Sequence, residues 1–150
     1  MELTDEILIN APRSIVYAAL NDPEILRAAI PGCEELIKHS DTDLEAKVVL
    51  KIGPVKARFS GRVTLDPGRA PDHMSLSGEG SGGVAGFAKG GADVELIEQG
   101  TETLLRYTAR ADVGGKIAQL GSRLILGAAR KLSASFFEAF AAELAKSEVT

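Results

Sequence analysis

The chain has 150 residues, which is enough for one domain and too few for two. Apolar residues make up 45% of it and charged residues 25%, a composition typical of globular proteins. Its net charge of −4 provides no overall attraction to nucleic acid, so nucleic acid is not expected as a partner. We therefore predict a single domain over residues 1–150.

The first residues predict a short strand followed by two short helices. Leu3, Ile7 and Ile9 alternate with polar residues, as the side chains of a strand do. Pro12 is well placed to open the first helix. Residues 21–24, Asn-Asp-Pro-Glu, combine a capping residue, a proline suited to the first helical position and an acid suited to the first turn. The Pro-Gly pair at 31–32 ends this second helix.

The middle of the chain is dominated by strict alternation of apolar and polar side chains. Gly-Pro, Asp-Pro-Gly and Gln-Gly turns separate the alternating segments. Such alternation predicts antiparallel strands with one dry and one wet face. The segments cover residues 44–52, 55–65, 74–80, 92–96 and 105–113.

A helical pattern replaces the alternation after Gly114 and Gly115. From Lys116 to about Lys146 there is no proline, and one stripe of apolar and small side chains recurs at helical spacing. Strands followed by a long helix predict an α+β fold rather than repeated strand–helix–strand units. The stripe contains Ile117, Leu120, Leu124, Ala128, Leu132, Ser135, Phe136 and Ala139.

Residues 78–83 match the dinucleotide-binding pattern G-x-G-x-x-G. That pattern binds a pyrophosphate only where a helix begins directly after it, and here alternating strand residues follow. The glycines have two remaining interpretations, which the sequence leaves open. Either the strands bend sharply with the helix packed close, or missing side chains leave room for a ligand.

Four stretches together resemble the carbon monoxide dehydrogenase G-subunit family, a branch of the START-like, helix-grip (SRPBCC) superfamily. They are D-P-E-I-L…I-P-G-C at 22–33, K-I-G-P-V-K-A-R-F-S-G at 51–61, G-E-G-S-G-G-V-A-G-F-A-K-G-G-A at 78–92, and V-G-G-K-I-A-Q-L-G-S-R-L-I at 113–125. The resemblance implies a curved antiparallel sheet of about six to seven strands wrapped around a long C-terminal helix, with an apolar tunnel between them. Two short helices would follow the first strand.

The resemblance also implies a function. Members of the family work with molybdenum hydroxylases of the carbon monoxide dehydrogenase type, and their proposed role is to recruit the enzyme to the cytoplasmic membrane. Carriage of a quinone-like electron acceptor is a further implied role. Many members end in an additional hydrophobic tail that is not found in these residues, so we expect no anchor within them.

A cavity between the sheet and the helix would be lined by residues of the dry face. An apolar lining with few polar groups suits a quinone or lipid chain, and Tyr107 could offer a hydroxyl to its oxygen. Ordinary core packing is the alternative for each residue. The candidates are Ile30, Pro31, Phe59, Met74, Phe87, Tyr107, Ile117, Leu120, Gly121, Leu124 and Leu132.

The long helix also carries a basic face. No acidic residue occurs between Asp112 and Glu138, and a helical projection places Arg123, Leu126, Arg130 and Phe137 opposite the apolar stripe. A basic face with exposed apolar side chains can dock on an anionic membrane or on a partner protein. A solvated face with two incidental apolar residues is the alternative.

Catalytic and metal-binding patterns are missing from the sequence. Cys33 is the single cysteine, so no internal disulfide is expected, and with His39 and His73 it does not make a metal site. We expect neither catalysis nor a cofactor other than a bound quinone or lipid. An enzyme acting on an aromatic or polyketide-like substrate, with Tyr107 beside His or Asp, and a ligand-free assembly factor for the dehydrogenase are the alternatives.

Neither a signal peptide nor a membrane-spanning apolar run is found in the sequence. We therefore expect a cytoplasmic protein. Peripheral contact with the inner face of the cytoplasmic membrane is an open alternative.

Overall fold

The computed structural model describes residues 1–149, with side chains described for residues 1–146. These residues form seven strands and three α-helices, with a 3₁₀ turn before β6 and a 3₁₀ helix before α3. In chain order they are β1 (Glu2–Ile9), α1 (Arg13–Leu20), α2 (Pro23–Ala29), β2 (Cys33–Lys38), β3 (Asp43–Ile52), β4 (Val55–Asp66), β5 (His73–Ser81), the 3₁₀ turn (Gly83–Ala85), β6 (Phe87–Gln99), β7 (Glu102–Gly114), the 3₁₀ helix (Lys116–Leu120) and α3 (Ser122–Val149).

All seven strands belong to one antiparallel sheet in the order β1-β7-β6-β5-β4-β3-β2. Consecutive strands from β2 to β7 are neighbours, and β1 pairs with β7. This confirms the predicted α+β architecture with a long C-terminal helix. The short edge strand β2 is the one strand of the sheet that the alternation of apolar and polar residues did not predict, since most of its side chains are exposed.

The main core lies on the dry face that the alternation predicts. Inward-facing residues of the strands pack there with α1, α2 and the C-terminal half of α3. Phe140 and Leu105 are fully buried, and Phe136 packs against the same cluster. Burial of this apolar surface is the main force that holds α3 on the sheet.

The start of α2 follows the sequence prediction. Asp22 caps the helix, and its carboxylate accepts a hydrogen bond from the Glu24 N–H at 3.0 Å. Pro23 occupies the first turn, where a missing N–H costs nothing. The cap and the proline together fix the residue at which α2 begins.

The long helix begins later than predicted. Residues 116–120 form a 3₁₀ helix, and Gly121, with φ of +89°, separates it from α3. Few residues other than glycine adopt this backbone conformation, so the α-helix starts at Ser122 instead of Lys116.

The central glycines allow sharp bending of the sheet. A Cβ on Gly61 or Gly78 would lie 2.8 Å from a carbonyl oxygen of the neighbouring strand, and one on Gly91 would lie 2.7 Å away. A Cβ on Gly90 would overlap the Arg110 carbonyl oxygen. These glycines therefore permit close approach of strand backbones, which favours the bending interpretation. The G-x-G-x-x-G pattern leads into a 3₁₀ turn and β6, so the helix needed for dinucleotide binding does not follow it.

Candidate functional site

A groove with a volume of about 1030 Å³ lies between the N-terminal half of α3 and the end of β3. Ligand pockets commonly have roughly 300–1,000 Å³, so the groove is large enough for a small molecule. On the sheet side it is lined by Pro31, Gly32, Val49, Leu50, Lys51 and Gly53, and on the helix side by Leu120, Arg123, Leu124, Gly127, Ala128, Lys131, Leu132 and Ser135.

The groove exists because β2 begins at Cys33, opposite Val48, whereas β3 continues to Ile52 without a β2 partner. The pairing of β2 with β3 ends at Cys33 and Val48, where the register shifts. One further hydrogen bond joins β3 to the residue before β2, from the Val49 N–H to the Gly32 carbonyl oxygen at 2.9 Å. The last residues of β3 therefore form an open sheet edge that faces α3 across the groove.

The walls of the groove are mainly apolar. Leu120, Leu124 and Leu132 come from the helical side, and Leu50 comes from β3. The Leu124 side chain reaches the Gly53 turn and is 41% exposed, so the groove is open to solvent at this point.

The charged residues in the lining are all basic. They are Lys51, Arg123 and Lys131, and the lining contains no acidic residue. All three are exposed, and none forms an ion pair with another residue of the described chain. The rim of the groove is therefore electropositive on a protein whose net charge is negative.

Four of the predicted cavity residues line this groove: Pro31, Leu120, Leu124 and Leu132. Ile30 precedes Pro31 and is half-buried. Gly121 lies at the junction between Leu120 and the start of α3. The structure thus brings part of the predicted set to one place.

Phe59 and Ile117 lie beside the groove in a second apolar cluster. Ile117 is buried there with Val55 and Ala85, while Phe59 and Leu120 pack against them. Leu120 therefore belongs to both the cluster and the groove lining.

Met74 and Tyr107 belong to the main core instead of a cavity. Their exposed fractions are 2% and 8%, and both pack in the cluster that contains Phe140. The Tyr107 ring stacks at a tilt on Phe137, with the ring centroids 5.3 Å apart. The alternative of ordinary core packing is correct for these two residues.

The prediction for Phe87 is wrong. Phe87 begins β6 opposite Ser81 and Gly114, and the alternation of the strand places it on the outer face with Lys89. It is 54% exposed and borders a separate hollow of about 560 Å³ on that face. Gly90 and Gly91 carry no side chains, so they separate Phe87 from the clear alternation of residues 92–96.

The predicted docking face on α3 is partly wrong. Arg123 and Arg130 are exposed, as expected. Phe137 packs against the core and touches Tyr107 and Phe136, and Leu126 is half-buried. The reason is that the packed side of the helix is rotated relative to the predicted stripe, toward Phe137 and Phe140.

Several groove residues were missed by the sequence reasoning, although signals were present. Val49 interrupts the polar positions of β3, where Glu45, Lys47 and Lys51 set the pattern. Gly127 lies in the middle of a helix, where glycine costs about 1 kcal/mol relative to alanine. Both anomalies are explained by the groove.

The polar cluster expected of an enzyme does not form around Tyr107. Its hydroxyl makes no hydrogen bond to any residue of the described chain. His39 lies on the surface, where its ring nitrogen is 3.0 Å from Glu45, and this hydrogen bond lowers the pKa of the Glu45 carboxyl. Burial raises the pKa of the Cys33 thiol, which disfavours the reactive thiolate.

Two further features bear on metals and membranes. Among the side chains of residues 1–146, no group of three His, Cys, Asp or Glu is arranged to hold a metal ion. In the same part of the chain, no helix combines the length and the apolar character that crossing a bilayer requires.

The fold and the groove between sheet and helix place the chain in the START-like, helix-grip class. A START superfamily protein from Mycobacterium smegmatis superposes with a TM-score of 0.74 at 12% identity, covering 97% of each chain. An aromatase/cyclase from Streptomyces sp. R1128 superposes with a TM-score of 0.71 at 13% identity, covering 97% of this chain and 94% of that one. At these identities the likeness shows the fold alone.

Within that class, residues 6–145 match the family model of the carbon monoxide dehydrogenase G subunit (CoxG), and the chain belongs to this family. A conserved protein from Geobacillus kaustophilus is 30% identical, with a TM-score of 0.92 over 98% of this chain and 97% of that one. No curated protein sequence matches the chain. The resemblance inferred from the four sequence stretches is thereby confirmed.

Proposed function

We propose that this protein is a non-catalytic accessory protein that binds a quinone- or lipid-like molecule in the groove between α3 and β3. The observation that carries this proposal is the groove itself, whose mainly apolar walls include four leucine side chains and whose opening faces solvent. Apolar walls with a few polar groups at the rim suit a molecule with a long apolar part.

The proposed partner is a molybdenum hydroxylase of the carbon monoxide dehydrogenase type. Membership of the CoxG family supports this choice, because the family is named as a subunit of that enzyme. In this proposal the protein brings the enzyme to the cytoplasmic face of the membrane and supplies it with the bound molecule.

The proposed membrane contact combines the basic face of α3 with exposed apolar side chains at the same end of the molecule. Arg123 and Arg130 are exposed, and each basic side chain adds about 1 kcal/mol of attraction near an anionic bilayer. Leu124 is 41% exposed, and Val84, in the 3₁₀ turn that packs against the 3₁₀ helix before α3, is 93% exposed. These two side chains replace Leu126 and Phe137 as the apolar part of the surface.

Extraction of the purified protein from its native host, followed by mass spectrometry, tests ligand binding. We expect an isoprenoid quinone or lipid in stoichiometric amount from the wild-type protein. The Leu124→Asp variant should lose it, because a carboxylate in the groove wall disfavours an apolar guest. Leu8→Asp is the matched control, since Leu8 is 50% exposed on β1, away from the groove. Wild-type protein without an extractable ligand would contradict the proposal.

Membrane and enzyme binding are tested separately with the Arg123→Glu/Arg130→Glu variant. Flotation with anionic vesicles should fall for this variant if the basic face docks on the bilayer. Co-purification with the dehydrogenase should persist if the enzyme binds elsewhere. Retention of both interactions would show that this face has no part in docking.

A further inference from the structure

We infer that the groove selects a molecule with an acidic head group on an alkyl chain over a neutral one of the same length. This inference rests on the proposed function, because it concerns the ligand of the same groove. It is carried by the three basic residues at the rim, Lys51, Arg123 and Lys131, together with the apolar walls between them.

The lack of an ion pair distinguishes these cations from the arginines of the sheet. Each arginine of β4 and β7 forms an ion pair: Arg58 with Glu34, Arg62 with Asp43, Arg106 with Glu6 and Glu95, and Arg110 with Asp93. Among the described residues, the three groove cations have no such carboxylate. A bound acid would supply the missing counter-charge.

The position of the cations suits a ligand that lies along the groove. Arg123 and Lys131 are eight residues apart on α3, which corresponds to about 12 Å along the helix axis. Lys51 extends from the opposite wall. Lysine stems can cover apolar surface while their ammonium groups stay in water, so a chain can lie beneath them with its head group at the rim.

The open edge of β3 adds a backbone donor to the same place. Ladder hydrogen bonds of an antiparallel strand point alternately to its two sides. The Val49 N–H points toward the β2 side, so the Lys51 N–H points there too, beyond the end of β2. No acceptor for it is found among the described residues, and a carboxylate or phosphate oxygen could fill this role.

The test compares laurate, dodecyl phosphate and dodecanol, which share one alkyl chain, by calorimetric titration of the full chain below micellar concentrations. We expect both acids to bind at least about tenfold more tightly than dodecanol. The reason is that a hydrogen bond to a charged group stabilises a complex more than one between neutral groups, and the difference in free energy corresponds to about this factor in affinity. A preference for laurate indicates a fatty acid as the source of the head group, and a preference for dodecyl phosphate indicates a phospholipid.

Removal of the lysine charges tests whether the preference for acids arises at the rim of the groove. The Lys51→Gln/Lys131→Gln variant should bind the acids about tenfold more weakly while its affinity for dodecanol stays unchanged. The control is Lys56→Gln/Lys89→Gln, which removes two exposed lysines of the outer face outside this groove. Equal binding of all three probes, or equal loss in both variants, overturns the inference and leaves the proposed function intact. Binding of none of them by the wild-type protein overturns both.

Discussion

Tyr107 of β7 and Phe137 of α3 pack ring against ring, with centroids 5.3 Å apart and an interplanar angle of 31°. This contact fixes the rotation of α3 on the sheet. With Phe136 and Phe140, it directs the aromatic side of the helix into the core, about a third of a turn from the centre of the predicted stripe. The stripe residues Leu124 and Leu132 face the groove as a result.

Replacement of Phe137 by alanine should destabilise the protein by about 2–3 kcal/mol. A buried phenylalanine costs roughly 3–5 kcal/mol on truncation, and Phe137 is only half-buried. Chemical denaturation measures the change in the free energy of unfolding. The exposed Leu8→Ala control should change it by less than about 0.5 kcal/mol. An equally small effect of Phe137→Ala would restore this residue to a solvent-exposed docking face.

The strands could be predicted because the apolar or polar character of each residue shows whether its side chain lies on the buried or the exposed face of the sheet. In β3 and β4, Leu44 and Leu65 are buried while their polar neighbours are exposed or half-buried, as the alternation requires. Turn residues marked the ends of these strands. The cap at Asp22 was predictable for a similar reason, because its chemistry is local.

The register of Phe87 and the rotation of α3 could not be predicted in this way. Gly90 and Gly91 interrupt the alternation between Phe87 and residues 92–96, so the face of Phe87 did not follow from that segment. In α3 the N-terminal half faces an open groove and the C-terminal half faces the core. One helical stripe cannot describe two environments, and Phe137 was therefore assigned to the wrong side.

The groove could be predicted only if the first residue of β2 and the last residue of β3 were known. Its edge depends on pairing that stops at Cys33 and Val48. Nothing in the local sequence reports where a neighbouring strand ends. Leu124 and Leu132 were nevertheless found, because apolar residues at helical spacing occur on that face as they would on a buried one.

Addition of a methyl group at Gly90 should unfold or strongly destabilise the protein. A Cβ there would overlap the Arg110 carbonyl oxygen and would lie 2.9 Å from the Ala111 Cα, so the two strands would have to separate. Thermal unfolding of Gly90→Ala measures the effect. Gly100→Ala is the comparison and should destabilise the protein less. The new Cβ at residue 100 would meet no atom within 4 Å, so the only cost is the backbone strain at a φ of +65°. A Gly90→Ala protein as stable as Gly100→Ala would contradict the close approach of β6 and β7.

Replacement of Ser75 by alanine should raise the pKa of Asp93. The Ser75 hydroxyl donates a hydrogen bond to this carboxylate at 2.7 Å, and Arg110 donates a second one, so the pKa of Asp93 lies below its usual value. A carboxyl whose pKa is lower in the folded state stabilises the fold above its unfolded pKa of about 3.9. This contribution disappears as the pH falls through the lowered value.

NMR titration of the Asp93 carboxyl carbon in both proteins checks this prediction. The midpoint should move to higher pH in Ser75→Ala, and the variant should lose less stability on acidification than the wild type. Ser77→Ala is the control, because Ser77 is on the same strand and makes no hydrogen bond to Asp93. An unchanged midpoint would show that Arg110 alone sets the pKa.

Removal of the α2 cap should cost about 1 kcal/mol, the usual effect of replacing a capping aspartate by alanine. Asp22→Ala leaves the Glu24 N–H without its 3.0 Å acceptor. Asp22→Asn should be nearly neutral, since asparagine caps helices about as well. Urea denaturation of both variants measures the difference. Equal destabilisation by both would indicate that the charge of Asp22, and not its capping oxygen, is what matters.

Filling the groove from α3 should separate stability from ligand binding. A Cβ at Gly127 meets no atom within 4 Å, and the residue lines the groove, so Gly127→Leu has room for its side chain there. Leucine favours helices over glycine by about 0.8 kcal/mol, so the thermal midpoint should rise. Laurate affinity should fall, because the new side chain occupies the space of the alkyl chain. Gly127→Ala should gain similar stability and keep its affinity. If Gly127→Leu bound laurate as tightly as Gly127→Ala, the ligand would have to lie outside this groove.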